Sequence, residues 1–304
     1  MVSNKSSEKG FALIVTLLIT AILVGVVVEV IYRVYLSSSR VANFTNSQKA
    51  ALLARASVDI TRVALEGLMK ENPYKTMDGE GWSFSHREED TVITVSVFGE
   101  QGRASTRIVY PQTGAANDRV YETYRRLLTI LEQDELLAEG LADWIDGDDE
   151  PRPAGGEGID YYQHLPRPYM AKNNYLHTSE ELLMVKGYTP EIFKAIAPFI
   201  TVYSSDGYIN INTAQKEVLM ALSEDVTEDL AQRIIDFRND TPFHDKSDIM
   251  RVSGFESLGF TLQNRITVDS SIFRIFAVAR TADAVREVEA VTELGGKVLY
   301  WREM

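Results

Sequence analysis

The sequence predicts an α+β protein, in which a long N-terminal helix packs on an antiparallel sheet and a large all-α domain is inserted between the strands. Residues 11–28 carry no charge, and apolar residues continue at helical spacing to Met69. Alternating patterns typical of half-buried strands occupy 91–98 and resume after 271. Between them, 121–267 has a helical pattern with long loops. This order of elements indicates one sheet with a helical insertion.

The N-terminal helix is predicted over residues 11–69, which contain no proline. At 1.5 Å per residue, the uncharged run 11–28 reaches about 27 Å, close to the thickness of the hydrocarbon core of a bilayer. A cleaved secretory signal has a shorter apolar core and ends at a small-x-small site. Here the apolar run passes into Glu29 and Arg33, a favourable pair four residues apart on a helix. This pattern therefore favours a permanent membrane anchor over a cleaved secretory signal.

The residues around the start of this run, 6–15, resemble the cleavage site of the type IV prepilin and pseudopilin family. Members have a short charged leader, a Gly at the cleavage point and a Phe or Met directly after it. The resemblance implies that a prepilin peptidase cleaves between Gly10 and Phe11 and that Phe11 is then N-methylated. Lys5 and Lys9 would keep the leader in the cytoplasm. The chain is thus expected to be a single-pass protein of the bacterial inner membrane, with its globular part in the periplasm.

One position departs from that pattern. Most members carry Glu at the fifth residue after the cleavage point, and this chain has Val15. An unpaired carboxylate in an apolar setting is costly, so a Glu there needs a partner on a neighbouring subunit. Val15 is consistent with a degenerate site or a plain anchor. It is also consistent with a subunit that has no neighbour above it, as in the K-type minor pseudopilins of type II secretion, which the resemblance places at the filament tip.

Strands are predicted on both sides of the helical block. The first pair is expected at 91–98 and 104–110, around a hairpin-like turn at 99–102, and the last three at 272–280, 285–294 and 298–303. With the pilin-like arrangement that the resemblance implies, the chain divides into five parts: a leader at 1–10, the N-terminal helix at 11–70 (membrane-spanning at 11–31), a first β part at 71–112, an inserted helical domain of the SAM or helix-hairpin-helix type at 113–267, and a second β part at 268–304.

Composition excludes several classes of function. The 304 residues carry a formal net charge of −13, which argues against a partner bound through phosphate contacts. There is no cysteine for a disulfide or thiol chemistry, and the four histidines have no zinc-type spacing. Neither a Gly-rich phosphate loop nor a Gly-x-Ser-x-Gly elbow occurs. We therefore predict that the protein is not an enzyme.

An acidic stretch is the candidate metal site. Eleven acidic residues and one basic residue, Arg152, lie between Glu132 and Asp160. The part from 141 to 162 resembles the signature of the K-type family, Asp-Trp-Ile-Asp-x-Asp followed by Gly-x-Glu and Tyr-Tyr. A solvated acidic loop is one interpretation, but closely spaced oxygens around a Gly favour Ca²⁺, although the spacing is not that of an EF-hand. The predicted ligands are Asp146, Asp148 and Glu157, with Asp143, Asp149 and Glu150 as further candidates. Trp144 and Ile145 are predicted to be core residues that seat this loop.

A second stretch, 207–214 with 231–238, resembles the helix-hairpin-helix of competence-type DNA-binding proteins and also the second half of the K-type insertion. DNA-binding members place Gly-Ile-Gly between the two helices so that backbone amides reach a phosphate. Here the link 223–229 has four acids and no glycine. Its carboxylates would repel phosphate. A packed helical module, with no nucleic-acid partner, is therefore predicted.

The resemblance as a whole implies a non-enzymatic minor pseudopilin of type II secretion. Such a subunit would initiate and cap the periplasmic pseudopilus tip with the I- and J-type minor pseudopilins, for protein export across the outer membrane. The outer-membrane secretin or secreted substrates are possible further contacts. A minor pilin of a type IV pilus is one alternative, which Glu at position 15 and a C-terminal disulfide would favour. A membrane-anchored helix-hairpin-helix DNA-binding protein is the other.

Overall fold

The N-terminal helix is the longest element of the molecule. The structure, a computed structural model, describes residues 5–71, 81–148, 150–152 and 159–304. Helix α1 runs without interruption from Lys5 to Glu71, 67 residues. At 1.5 Å per residue it is about 100 Å long. The predicted long helix is therefore confirmed, and within the described residues it begins before Phe11.

A five-stranded antiparallel sheet combines the two ends of the chain. Its strands are β1 (Trp82–Glu88), β2 (Thr91–Gly99), β7 (Ile272–Thr281), β8 (Ala284–Glu293) and β9 (Val298–Glu303), in the spatial order β1-β2-β7-β8-β9. The pairing of β2 with β7 joins segments about 180 residues apart, with Val95 opposite Ala277. The predicted antiparallel sheet, formed from strands before and after an insertion, is confirmed.

The second half of α1 packs on one face of this sheet, mainly over β7 and β8. Ala50, Ala54, Val58 and Leu65 are buried and lie on one side of the helix, since they are four or seven residues apart. They contact a strand layer that includes Ala277. Small side chains on both surfaces let the helix lie close to the sheet. This contact forms the first of two hydrophobic cores.

Ion pairs and hydrogen bonds fix which flank of α1 faces which edge of the sheet. On one flank, Arg55 pairs with Glu303 of β9 at 2.6 Å, and Arg62 donates to the carbonyl of Gly296 in the β8–β9 turn. On the other flank, Lys49 lies 3.9 Å from Asp90, in the β1–β2 turn. Therefore the flank that carries Lys49 faces β1 and β2.

The first strands differ from the prediction. β1 was not predicted, and it forms the hairpin with β2 through Glu89 and Asp90, with Glu89 at φ 50°. The expected turn at 99–102 is instead a short 3-10 helix, Glu100–Gly102, that leads away from the sheet. The expected strand at 104–110 is wrong, because only Ala104–Ser105 (β3) is a strand. Residues 104–110 instead contribute to the second hydrophobic core, inside the helical insertion. Their apolar side chains are therefore buried away from the sheet.

The segment between β2 and β7, residues 100–271, is called the inserted segment below. It contains α2 (Asp118–Ile130), α3 (Leu137–Ile145), α4 (Ile159–Gln163), α5 (Pro190–Ile196), α6 (Lys216–Met220), α7 (Glu228–Asp240) and α8 (Leu258–Leu262). Two parallel pairs of two-residue strands cross it: β3 with β4 (Ile200–Thr201), and β5 (Ile209–Asn210) with β6 (Ile266–Thr267). Helices are the main regular structure of its described residues, but the expectation that the segment is all-α is not confirmed. Its own hydrophobic core surrounds Tyr124, Ile145 and Phe243.

Candidate functional site

The uncharged run at the N-terminus forms part of α1. The stretch Phe11–Glu71 is the helix, among the described residues, that is long and apolar enough to cross a membrane, and its most apolar window is not buried by the rest of the protein. Gly10 and Phe11 lie within α1, with Phe11 exposed. Val15 lies on the same run, where no carboxylate occurs from residue 11 to residue 28. This geometry is compatible with a single-pass anchor.

The acidic stretch is organised by the end of α3. Asp143 lies in the last turn, and Asp146 follows the helix in an extended conformation. Their side chains are 5% and 3% exposed. The guanidinium of Arg152 bridges them, with Nε 3.2 Å from Asp143 Oδ1 and Nη2 3.0 Å from Asp146 Oδ2. The backbone N–H of Arg152 also donates to Asp143 Oδ2 at 3.1 Å. The guanidinium of Arg152 thus pairs with both of these buried carboxylates.

The electrostatics of this site favour a further positive charge. Burial and the nearby carboxylate of Asp148 raise the pKa of Asp146 to about 6, against the opposing effect of Arg152. Burial also raises the pKa of Asp143. Shifts in this direction show that Arg152 compensates only part of the cost of keeping these groups ionised. A cation bound beside Asp146 would lower that cost.

Three of the predicted ligands line one open cleft of about 290 Å³: Asp146, Asp148 and Glu150. Gly114 forms its opposite wall at φ +62°, and a Cβ on it would lie 2.8 Å from Asp148 Oδ2. Oxygen donors of this kind suit Ca²⁺. However, Asp143 is committed to Arg152, and no three His, Asp or Glu side chains within 5–71, 81–148, 150–152 and 159–304 are placed to hold a metal together. Asp149 and Glu157 lie outside the described residues, so the calcium site stays a prediction.

An aromatic cluster lies beneath the acidic stretch. The ring of Trp144 meets that of Tyr162 edge-on, with centroids 5.1 Å apart, and that of Tyr169 at 6.1 Å. Trp144 and Ile145 are buried. Their predicted role as core residues that seat the loop is confirmed.

The second predicted stretch is built around buried polar side chains. Asn212 donates to the carbonyls of Phe243 and Val268, at 2.9 and 2.8 Å, and accepts from the N–H of Phe243 at 2.9 Å. Arg238 of α7 is buried and donates to the carbonyls of Ile211 and Ala214. These groups tie α7 to the β5–β6 pair. The residues that resemble a DNA-binding motif therefore serve packing in this protein.

A buried charge network, missed by the sequence analysis, joins the sheet to the inserted segment. Glu100 is fully buried, and its carboxylate accepts from Arg274 of β7 at 2.7 Å and from the hydroxyl of Thr201 in β4. Arg274 also donates to Glu289 of β8, and Arg103 lies 3.3 Å from Glu100. Charged residues at inward-facing positions of β7 and β8 were the sequence signal for this network. It fixes the inserted segment against the face of the sheet opposite α1.

Hydrogen bonds and close packing extend the same junction. The side-chain carbonyl of Gln101 accepts from the backbone N–H groups of Ser271 and Ile272, and its amide donates to the Ser271 hydroxyl at 2.8 Å. A Cβ on Gly102 would lie 2.7 Å from the hydroxyl oxygen of Thr213, so only glycine fits. These contacts join the beginning of the inserted segment to its end, next to the start of β7.

Comparison with known proteins identifies the family. Two family models, both described as type II secretion system (T2SS), protein K, match residues 106–205 and 209–269, which together make up more than half of the chain. The type II secretion system protein K of Aeromonas hydrophila is 24% identical over 93% of this chain and 92% of its own length. That of Pseudomonas aeruginosa is 26% identical over 81% of this chain and 77% of its own length.

A solved structure has the same fold. It is a chain of the GspK-GspI-GspJ complex from the type 2 secretion system of enterotoxigenic Escherichia coli. The TM-score is 0.70 at 18% sequence identity, with 87% of this chain and 99% of that chain covered. The two family models, supported by relatives that match over most of their own length, show that the chain belongs to the type II secretion system protein K family.

Proposed function

We propose that this protein is the minor pseudopilin that starts and caps the periplasmic pseudopilus tip, as a structural component rather than an enzyme. One observation carries the proposal: α1 has apolar surface that its own sheet does not cover. The sheet covers only the side with Ala50, Ala54 and Val58. On the other side, Val41, Leu52 and Val63, each eleven residues apart and so on one face of the helix, are exposed. Exposed large apolar side chains along one face mark an interaction site, here for helices of neighbouring subunits.

The proposed neighbours are the I- and J-type minor pseudopilins. The solved relative with this fold is crystallised with GspI and GspJ. Because the helix α1 is continuous, subunits with similar helices can pack beside it along its whole free length. In this assembly the anchor first holds the subunit in the inner membrane, with the globular part in the periplasm, and later leaves the bilayer for the filament.

The tip position is supported by Val15. A subunit inside the filament needs a carboxylate near this depth to pair with the N-terminal amine of its neighbour, whereas a subunit with nothing above it does not. The proposal includes cleavage by the prepilin peptidase after Gly10 and N-methylation of Phe11. It also places the inserted segment, on the face of the sheet away from α1, where it can meet the outer-membrane secretin or secreted proteins.

Calcium binding by the acidic stretch is part of the proposal. Asp146, Asp148 and Glu150 would supply oxygens from the described cleft, and Asp149 and Glu157 would complete the set. The bound ion would supply positive charge beside Asp146 and rigidify the loop at the end of α3.

Co-purification tests the assembly. The full-length chain, solubilised in detergent, should elute as one complex with the I- and J-type subunits of the same bacterium. Mass spectrometry of the purified protein should show a mature N-terminus at methylated Phe11, and Gly10→Val should leave the leader attached. Three separately eluting proteins would contradict the proposed function. Gold labels on the inserted segment that decorate the sides of pseudopili rather than their ends would contradict the tip position.

A further inference from the structure

A groove lies between α1 and the outer strands of the sheet. α1 packs mainly on β7 and β8 and less on β2, and β1 lies beyond these main contacts. In β1, Trp82 and Phe84 pair with Val97 and Val95, two core residues beneath α1. Residues paired across an antiparallel sheet share a face. Phe84 therefore projects on the same side as α1, yet it is 52% exposed.

The neighbouring flank of α1 supplies the second wall. Lys49, which approaches Asp90 in the β1–β2 turn, identifies the flank that faces β1. Leu53 and Ile60 lie four and eleven residues further on, so they lie on that same flank. Leu53 packs on the edge of the first core, whereas Ile60 is 68% exposed. Ala56, Ala64 and Gly67 nearby are small, so another backbone can approach closely.

The two walls form an apolar groove, defined by Leu53, Ile60, Phe84 and Ile93, that runs parallel to α1. We propose that this groove holds the α-helix of a second pseudopilin subunit, packed alongside α1. The partner helix would therefore lie on one defined side of the subunit, between α1 and β1. This inference rests on the proposed function, because the occupant is one of its assembly partners.

The direction of the groove argues for a helix rather than a strand or a loop. Its N-terminal end opens onto the free half of α1. There the exposed side chains of Ile31 and Tyr35 lie eighteen residues, or five helical turns, before Lys49 and Leu53, so they continue the apolar surface on the same flank. Since α1 is unbroken between Ile31 and Ile60, a partner helix that lies along this flank of the free half extends into the groove. Large apolar side chains alternating with small ones on a helix surface accept the ridges of another helix.

The opposite flank of α1 differs, because polar contacts connect it to the sheet. There Arg55 and Arg62 are engaged with β9 and the β8–β9 turn. The sheet edge on that side is therefore closed to a helix by polar contacts. The inferred partner helix is therefore placed on the β1 side of the subunit.

The test uses the full-length chain co-expressed with its I- and J-type subunits and purified in detergent. Phe84→Ser and Ile60→Gln should each lower the amount of partner recovered by about tenfold, which is the loss expected when one large apolar side chain no longer contributes its burial. Phe260→Ser is the matched control, because Phe260 is a 74% exposed phenylalanine on the inserted segment. It should leave recovery unchanged. Melting temperatures equal to that of the wild type would show that the variants fold.

Crosslinking identifies the occupant. A photoreactive phenylalanine at position 84 should crosslink to the N-terminal helix of a partner subunit, as mapped by mass spectrometry. A crosslink to a partner's globular domain, to a second copy of this chain or to its own residues 72–80 would overturn the inference. So would full partner recovery with Phe84→Ser. If the wild-type chain recovers no partner, the proposed function fails and the groove inference fails with it. If the wild type recovers partners and the groove variants match it, only the groove inference fails.

Discussion

The carboxylate of Glu100 and the guanidinium of Arg274 form a 2.7 Å ion pair at the junction between the sheet and the inserted segment. Glu100 follows β2, where the chain leaves the sheet, and Arg274 lies in β7, where it has returned. The hydroxyl of Thr201 adds a contact from the middle of the inserted segment. One side chain therefore links three parts of the chain that are far apart in sequence.

Replacement of the Glu100 carboxylate should destabilise the whole globular part. Glu100→Gln leaves Arg274 and Arg103 buried with one negative partner fewer, and we expect a loss of about 3 kcal/mol in the free energy of unfolding. Urea unfolding in mild detergent at pH 7 measures it. Glu303→Gln is the control, because Glu303 pairs with Arg55 at the surface and its loss should be barely detectable. Equal effects of the two substitutions would contradict a buried network.

The contribution of Glu100 to the free energy of unfolding should depend on pH. Burial raises the pKa of Glu100, but Arg274, Arg103 and the Thr201 hydroxyl outweigh burial and hold it below its ordinary value of 4.5. A lowered pKa means that the stabilisation is complete above about pH 4.5 and is lost as the pH falls through the folded-state value. The difference in stability between the wild type and Glu100→Gln should therefore be constant from pH 6 to 8 and shrink below pH 4.5. A difference that grows on acidification would contradict this pKa direction.

Asn212 should behave as a structural residue. Asn212→Asp keeps the size of the side chain but removes the two donors to the carbonyls of Phe243 and Val268, at a cost of about 3 kcal/mol in unfolding free energy. Asn174→Asp is the control, since the exposed Asn174 acts only as an acceptor, to the N–H of Tyr175.

Gel shifts with duplex DNA at low salt should show no binding by the wild type. Tight binding that Asn212→Asp abolishes would restore the DNA-binding alternative.

Calcium should stabilise the protein. At a concentration about a hundred times the Kd, a single bound ion should raise the melting temperature by about 5–10 °C. Asp148→Asn should remove most of this rise, because Asp148 lines the cleft with Asp146. Asp225→Asn, an exposed carboxylate in the link before α7, is the matched control and should retain it. A melting temperature that is the same with Ca²⁺ and with a chelator would exclude the site.

The long helix and the closing strands could be predicted from sequence because their periodicities are strong. α1 has apolar residues at helical spacing over most of its length, and β7 alternates between buried and partly exposed residues. The edge strand β1 escaped prediction, because its sequence, Trp-Ser-Phe-Ser-His-Arg-Glu, is largely exposed and has no β-branched residue. Edge strands depend on pairing with a neighbour rather than on burial of a face.

The candidate site was predictable only in part. The acidic stretch around Asp146 stands out by charge density alone, but the bridging role of Arg152 depends on how the loop folds back. Glu100 lies between two glycines, in a pattern typical of an exposed turn. Arg274 and Glu289 stand out as charged residues within predicted strands, but only the tertiary arrangement places Arg274 opposite Glu100.

The unbroken course of α1 from Lys5 to Glu71 has a mechanical consequence. A continuous helix of about 100 Å acts as a lever, so a rigid tilt of about 10° at its N-terminal end displaces its far end by about 17 Å. The sheet packs on the second half of this helix, and the Glu100 junction joins the inserted segment to the sheet. A movement at the N-terminal end of α1 is therefore transmitted to the globular part.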